Sequence, residues 1–124
     1  MKLHIKILLT FVTFFYLTSS AMAADTWSHK DKALAVTMST LLIIDWGQTI
    51  NIARDPSYHE INPILGPHPS EQAVHTYMGT ALVGAIAISH FFPSKYRALF
   101  MESVIALELP YVYNNYKIGL KVQF

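Results

Sequence analysis

Three groups of polar residues interrupt an otherwise apolar chain, and their types are those that move protons or hold small cations. Asp45 and Gln48 lie three residues apart in a stretch of helical character. That spacing places them about 60° apart around a helix, on one face with Thr49 and Ile52. Asn51 falls about 120° from Asp45 and belongs to a different surface. Glu60 and Asn62 follow in the segment Tyr58-His59-Glu60-Ile61-Asn62-Pro63-Ile64-Leu65-Gly66. Pro63 forces Asn62 into extended geometry, so Glu60 and Asn62 project to the same side, where Asn62 can orient Glu60 as acid, base or ligand. Glu108, Val112 and Asn115 fall on one helical stripe. If Glu108 faces Asp45, two carboxylates in a low-dielectric interior must share a proton or a cation.

Each group also has a plainer reading. Asp45 stands about nine residues from the end of its apolar stretch, so it is either an interior site or a group near a boundary, and Gln48 is either a ligand or a structural hydrogen bond. Asn-Pro is a common turn dipeptide, with Glu60 then simply solvated. Glu102 is about 240° from Glu108 around a helix, so the two cannot share a face. Asp45, Glu60 and His75 are the candidate catalytic set, and together they have the chemistry of a divalent metal site. No pair among His59, His68, His75 and His90 has the i,i+4 spacing of a helical metal face, and no H-E-x-x-H motif occurs. The chain also lacks a Ser nucleophile elbow, a P-loop and a G-x-G-x-x-G turn, so no organic cofactor is implied.

The composition places these groups in an unusual medium. Hydrophobic residues make up 52% of the 124, and charged residues only 14%, against about 25% in a typical soluble domain. With a formal net charge of +1 and no basic run, nucleic-acid binding has no electrostatic basis. Cysteine is absent, which removes disulfides, thiolate metal sites and Cys nucleophiles. At the start, Lys2, His4 and Lys6 precede an apolar run over residues 7–17 and an Ala21-Met22-Ala23 exit. That pattern predicts a signal peptide over residues 1–23, its apolar core being shorter than the ~20 residues a spanning helix needs.

The remaining chain, residues 24–124, predicts a single all-α membrane domain of three transmembrane helices, about 30–53, 71–92 and 95–116. Ser28 with Asp31 and Ser70 with Glu71 read as helix starts, and Ser94 as the cap of the third helix. Pro56 and Pro93 end the first two helices. Pro56, Pro63, Pro67 and Pro69 make residues 54–69 a stiff loop. Gly79, Thr80, Ala81, Gly84, Ala85 and Ala87 offer a small-residue face for close helix packing. Pro110 interrupts the third helix, and Tyr111, Tyr113 and Tyr116 suit an interfacial belt. A competing signal is the alternating tail over residues 116–124, which ends on Phe124 and resembles the last strand of an outer-membrane barrel. The distribution of Lys and Arg does not choose between orientations.

Taken together, Asp45-x-x-Gln48-Thr49, Glu60-x-Asn62-Pro63-x-Leu65-Gly66 and Glu108-x6-Asn115-x3-Gly119 resemble a group of small bacterial helical membrane proteins of unknown function with an E-x-N-P loop between their first two helices. The resemblance implies membrane location and the same polar set, and no particular activity. The expected role is binding, assembly or accessory, with Gln48, Asn62, Glu108 and Asn115 as binding residues around a polar intramembrane site. Expected partners are the lipid bilayer and a membrane protein or a second copy. The expected location is the bacterial envelope, at the inner membrane. The alternatives are a membrane-embedded enzyme acting on lipid or peptide through Asp45, Glu60 and His75, and a secreted bundle or small outer-membrane protein.

Overall fold

The computed structural model describes residues 25–124, and the signal peptide expected over residues 1–23 lies outside them. Three helices follow in order: α1 His29–Arg54, α2 Glu71–Phe91 and α3 Ser94–Lys117. No strand occurs among the described residues, so the tail is not a barrel strand.

Local chemistry fixes the helix ends. A capping box starts α1: Asp31 N–H donates to Ser28 Oγ, and Ser28 N–H to Asp31 Oδ2, both at 3.0 Å. Arg54 is its last residue because Pro56 holds Asp55 extended, at φ −120° and ψ 104°. Ser70 caps α2 by accepting from Ala73 N–H at 3.1 Å. The expectation for Ser94 is corrected, since Pro93 is the N-cap of α3 and supplies no side-chain acceptor. Ser94 is the first helical residue, and its free N–H donates to Asp25 Oδ2 at 2.7 Å. That bond holds the Asp25 carboxyl below its ordinary pKa. Asp25 thus caps α3 from the other end of the described chain.

The up-down-up order leaves α1 and α3 parallel, and four contacts keep them in step. Arg97–Asp31, Asn115–Gln48, Asn115–Asp45 and Lys121–Asn51 join residues separated by 66, 67, 70 and 70 positions. Both α2 and α3 pack mainly on α1 and less on each other.

Along α1 the interior is layered. Met38 and Leu42 join Ala85 and Met101 in one apolar cluster. Ile50 joins Val74 and Met78 in another. Asp45 and Gln48 fall between the two. The small-residue face of α2 contributes less packing than expected. A Cβ at Gly79 would only touch the Trp46 ring, at 3.5 Å, and one at Gly84 would meet nothing within 4 Å. Flexible methionines fill the space instead.

The largest fully buried side chain is Arg97, enclosed at 0% exposure. Nε donates to Ser89 O at 2.8 Å, Nη1 to Asp31 Oδ2 and Thr26 O, and Nη2 to Asp25 O and Phe92 O. These use all five guanidinium donors. Trp27 covers the planar face, its ring centre 4.9 Å from Cζ. On the outside, Lys30 pairs with Glu102 at 2.9 Å, which turns Glu102 away from the interior. Exposed pairs of this kind contribute little to stability.

At the far end, Gly119 adopts φ 93° and stops α3, with Leu120 N–H bonded to Asn115 O at 3.0 Å. The chain then returns beside α1. Lys121 N–H donates to Asn51 Oδ1 at 2.8 Å and Gln123 N–H to Gly47 O at 3.0 Å. Val122 sits so close to Gly47 that a Cβ there would collide with it.

Among the described residues one helix, α1, is long and apolar enough to cross a membrane by length and composition, with mean hydropathy 1.3 over its most apolar window. Three independently spanning helices are therefore narrower than what the fold supports. Glu102, Glu108, Asn114 and Asn115 make α3 too polar to qualify alone.

Two substitutions test this framework. Arg97→Lys keeps the charge but cannot supply five fixed donors, and is expected to cost ~3–5 kcal/mol, the scale for breaking a buried ion pair. Thermal unfolding in detergent measures it. Gly47→Ala is expected to cost ~1–3 kcal/mol through overpacking against Val122. The Gly47→Ala/Val122→Ala double variant should recover most of that loss in the same assay.

Candidate functional site

The polar layer brings α1 and α3 together through one amide. Asn115 Nδ2 donates to Asp45 Oδ1 at 3.3 Å and to Gln48 Oε1 at 3.2 Å. Gln48 Nε2 in turn donates to Val112 O at 3.3 Å. The two-donor NH₂ of Asn115 is thus shared between the acid and the amide of the facing helix. Gln48 is 3% exposed and Asp45 half-buried. Asn51 points elsewhere, to the returning tail.

Glu108 lies on the same side of α3, two turns before Asn115. Its Oε2 is buried and has no hydrogen-bond partner among the described residues. Such an atom is costly unless it carries a proton or meets a cation. The charges of Glu108 and, more weakly, Glu60 reach Asp45. The Lys and Arg ion pairs are made elsewhere, with Glu102, Glu71 and Asp31.

Glu60 arrives from the loop because the loop is internally braced. Glu60 Oε1 accepts from Asn62 N–H at 2.8 Å, and Asn62 Oδ1 accepts from Ile64 N–H at 3.0 Å. Gly66 N–H closes the turn onto Asn62 O at 3.0 Å, with Gly66 at φ 75°. Asn62 therefore organises the turn around Pro63 and holds Glu60 through its backbone N–H. The result is a cavity of about 310 Å³ between loop and helices. Glu60, Asn62 and Glu108 provide its polar side, and Leu42, Met78 and Tyr111 are among its apolar walls.

His75 does not join this set. Its Nδ1 accepts from Trp46 Nε1 at 3.0 Å on an exposed face of the bundle, where Trp46 also meets Phe124. No group of three His, Asp or Glu side chains positioned to hold a metal occurs among the described residues. Asp45, Glu60 and His75 are therefore not one metal centre in this arrangement. Glu60 and Glu108 instead line the cavity, near enough to Asp45 for their charges to act on it, with Gln48 and Asn115 bonded around Asp45 and Asn62 bonded to Glu60. A proton on Glu108 would relieve the cost of its buried, unpartnered Oε2.

Sequence reasoning did not single out Arg97, which the fold buries completely. An arginine one turn into an apolar helix, shortly after a helix break, was the available signal.

No family model matches the chain, and no curated protein and no solved structure matches it either.

The Asn115 bridge yields a direct expectation. Asn115→Ala leaves Asp45 and Gln48 without their shared donor and is expected to cost ~1–3 kcal/mol. With Gln48→Ala in a double-mutant cycle, the two effects should couple by ~0.5–3 kcal/mol in unfolding measurements, because both belong to one network.

Proposed function

We propose that this chain is a small integral membrane protein whose three-helix bundle handles a proton or a small cation at the Asp45–Glu60–Glu108 site. The supporting observation is an apolar outer surface. The bundle encloses Arg97, Asp31, Gln48, Thr49 and Asn51, while large apolar side chains on every helix face outward. Val36 on α1, Val83 on α2 and Leu107 on α3 are 67%, 67% and 66% exposed. In water such a surface invites aggregation, and in hydrocarbon it is the stable arrangement.

The dimensions agree with this reading. At 1.5 Å per residue the 26 residues of α1 extend ~39 Å, more than the ~30 Å hydrocarbon core. Asp45 then lies ~14 Å from the Arg54 end. Tyr116, exposed and one residue beyond Asn115, lies nearest the end of the apolar layer among the exposed tyrosines of α3. The loop reaches beside α2 as far as Ala81, and its Ile61 and Ile64 face outward. Non-helical backbone at that depth needs its polar groups met by protein, and the Glu60–Pro67, Gly66–Asn62, Asn62–Glu60 and Ile64–Asn62 bonds supply this for part of the loop. In this reading α2 and α3, which do not pass the test of length and composition alone, cross as companions of α1. The role is non-enzymatic, with the protein acting as a binding or accessory component at the inner membrane of the bacterial envelope.

Two measurements test the proposal. Carbonate washing should leave the protein in the membrane fraction, and release without detergent would sink the reading. Asp45→Asn, Glu60→Gln and Glu108→Gln keep shape while removing charge. In proteoliposomes, Asp45→Asn and Glu108→Gln are expected to reduce proton or sodium flux at least ~10-fold at unchanged protein abundance, as expected for intramembrane acids on an ion path. Flux equal to that of wild type would reject the ion-handling role.

A further inference from the structure

The loop carries a side-chain pair that the carboxylate site does not use. Glu60 N–H donates to Pro67 O at 3.0 Å, which ties the two arms of the loop together. The next positions outward, His59 and His68, are thereby brought side by side. The two imidazole rings accordingly lie with centroids 4.7 Å apart and planes inclined by 53°. Side chains alternate along an extended chain, so His59 and Glu60 point to opposite faces of the loop. Glu60 faces the cavity, and both imidazoles are exposed.

We propose that His59 and His68 form a two-imidazole site for a divalent transition-metal ion of the Zn²⁺ or Ni²⁺ type. Imidazole nitrogen is a preferred ligand for this class. A metal ~2.1 Å from each ligating nitrogen lies ~3.2 Å from each ring centroid, and ligand angles between ~90° and ~109° then separate the centroids by ~4.5–5.2 Å. The observed 4.7 Å falls within that window. The backbone is already braced: Pro67 and Pro69 flank His68, and Pro56 and Pro63 bracket His59. Little ordering is then left for the ion to impose, and preorganisation of this kind favours binding. With two protein ligands the remaining coordination positions are open to water or to a ligand from outside. An ion here would staple the loop arms at the residue next to Glu60 and so hold the loop over the carboxylate cavity. The site stands whether or not the bundle spans a bilayer.

The test is calorimetric titration of the full chain, purified in detergent without a polyhistidine tag, with Ni²⁺ and with Zn²⁺. The expected result is one saturable ion per chain, with affinity lowered at least ~10-fold by His59→Asn and by His68→Asn. His75→Asn and His90→Asn should bind as wild type does. Bound Cu²⁺ should show coupling to two imidazole nitrogens in its electron paramagnetic resonance spectrum, falling to one in either loop variant. Absence of saturable binding overturns the proposal. So does binding that survives both loop substitutions, or that His75→Asn removes equally.

Discussion

The bundle depends first on the enclosure of Arg97. A guanidinium removed from water is tolerated only if its charge and all its donors are met. Here the partners come from the segment before α1, from Asp31 in its first turn, and from the last turns of α2. Any shift of α3 along α1 would strip several of these bonds at once. The residue therefore acts as a register pin: it sets the height at which α3 meets α1, and Glu108 and Asn115 reach the level of Asp45 and Gln48 as a consequence. Asp25 and the Ser28–Asp31 capping box reinforce the same corner.

The opposite end is held by a different device. Gly47 gives Val122 room against the α1 backbone, and Asn51 and the Gly47 carbonyl accept from the returning tail. Between these two fixed ends lies the polar layer, bounded by a methionine-rich cluster on one side and the Ile50–Val74–Met78 cluster on the other. Apolar layers above and below limit water, so the carboxylates interact strongly with one another and with whatever neutralises them. The same surroundings make an unpartnered oxygen such as Glu108 Oε2 informative.

The loop joins these levels without a regular element of its own. Its prolines fix φ at four positions, and Asn62 supplies both the turn and the hold on Glu60. One face of the loop carries an acid inward and the other carries two imidazoles outward. Both follow from a single backbone hydrogen bond between Glu60 and Pro67.

The sequence by itself determined the three helices, because capping residues, prolines and long apolar runs act locally. Observed ends differ from the expected ones by at most one residue, and the α3 cap is supplied across the fold by Asp25. Helical spacing also put Asp45 with Gln48, and Glu108 with Asn115, since periodicity is a property of one helix. Tertiary structure alone decided which stripes meet. That Asn115 bridges Asp45 and Gln48, that His75 turns to Trp46, and that Arg97 is buried all depend on contacts between residues 29 to 72 positions apart. No local propensity encodes such pairings. They arise because the chain has few ways to satisfy every buried donor and acceptor at once, and that condition applies only to the assembled bundle.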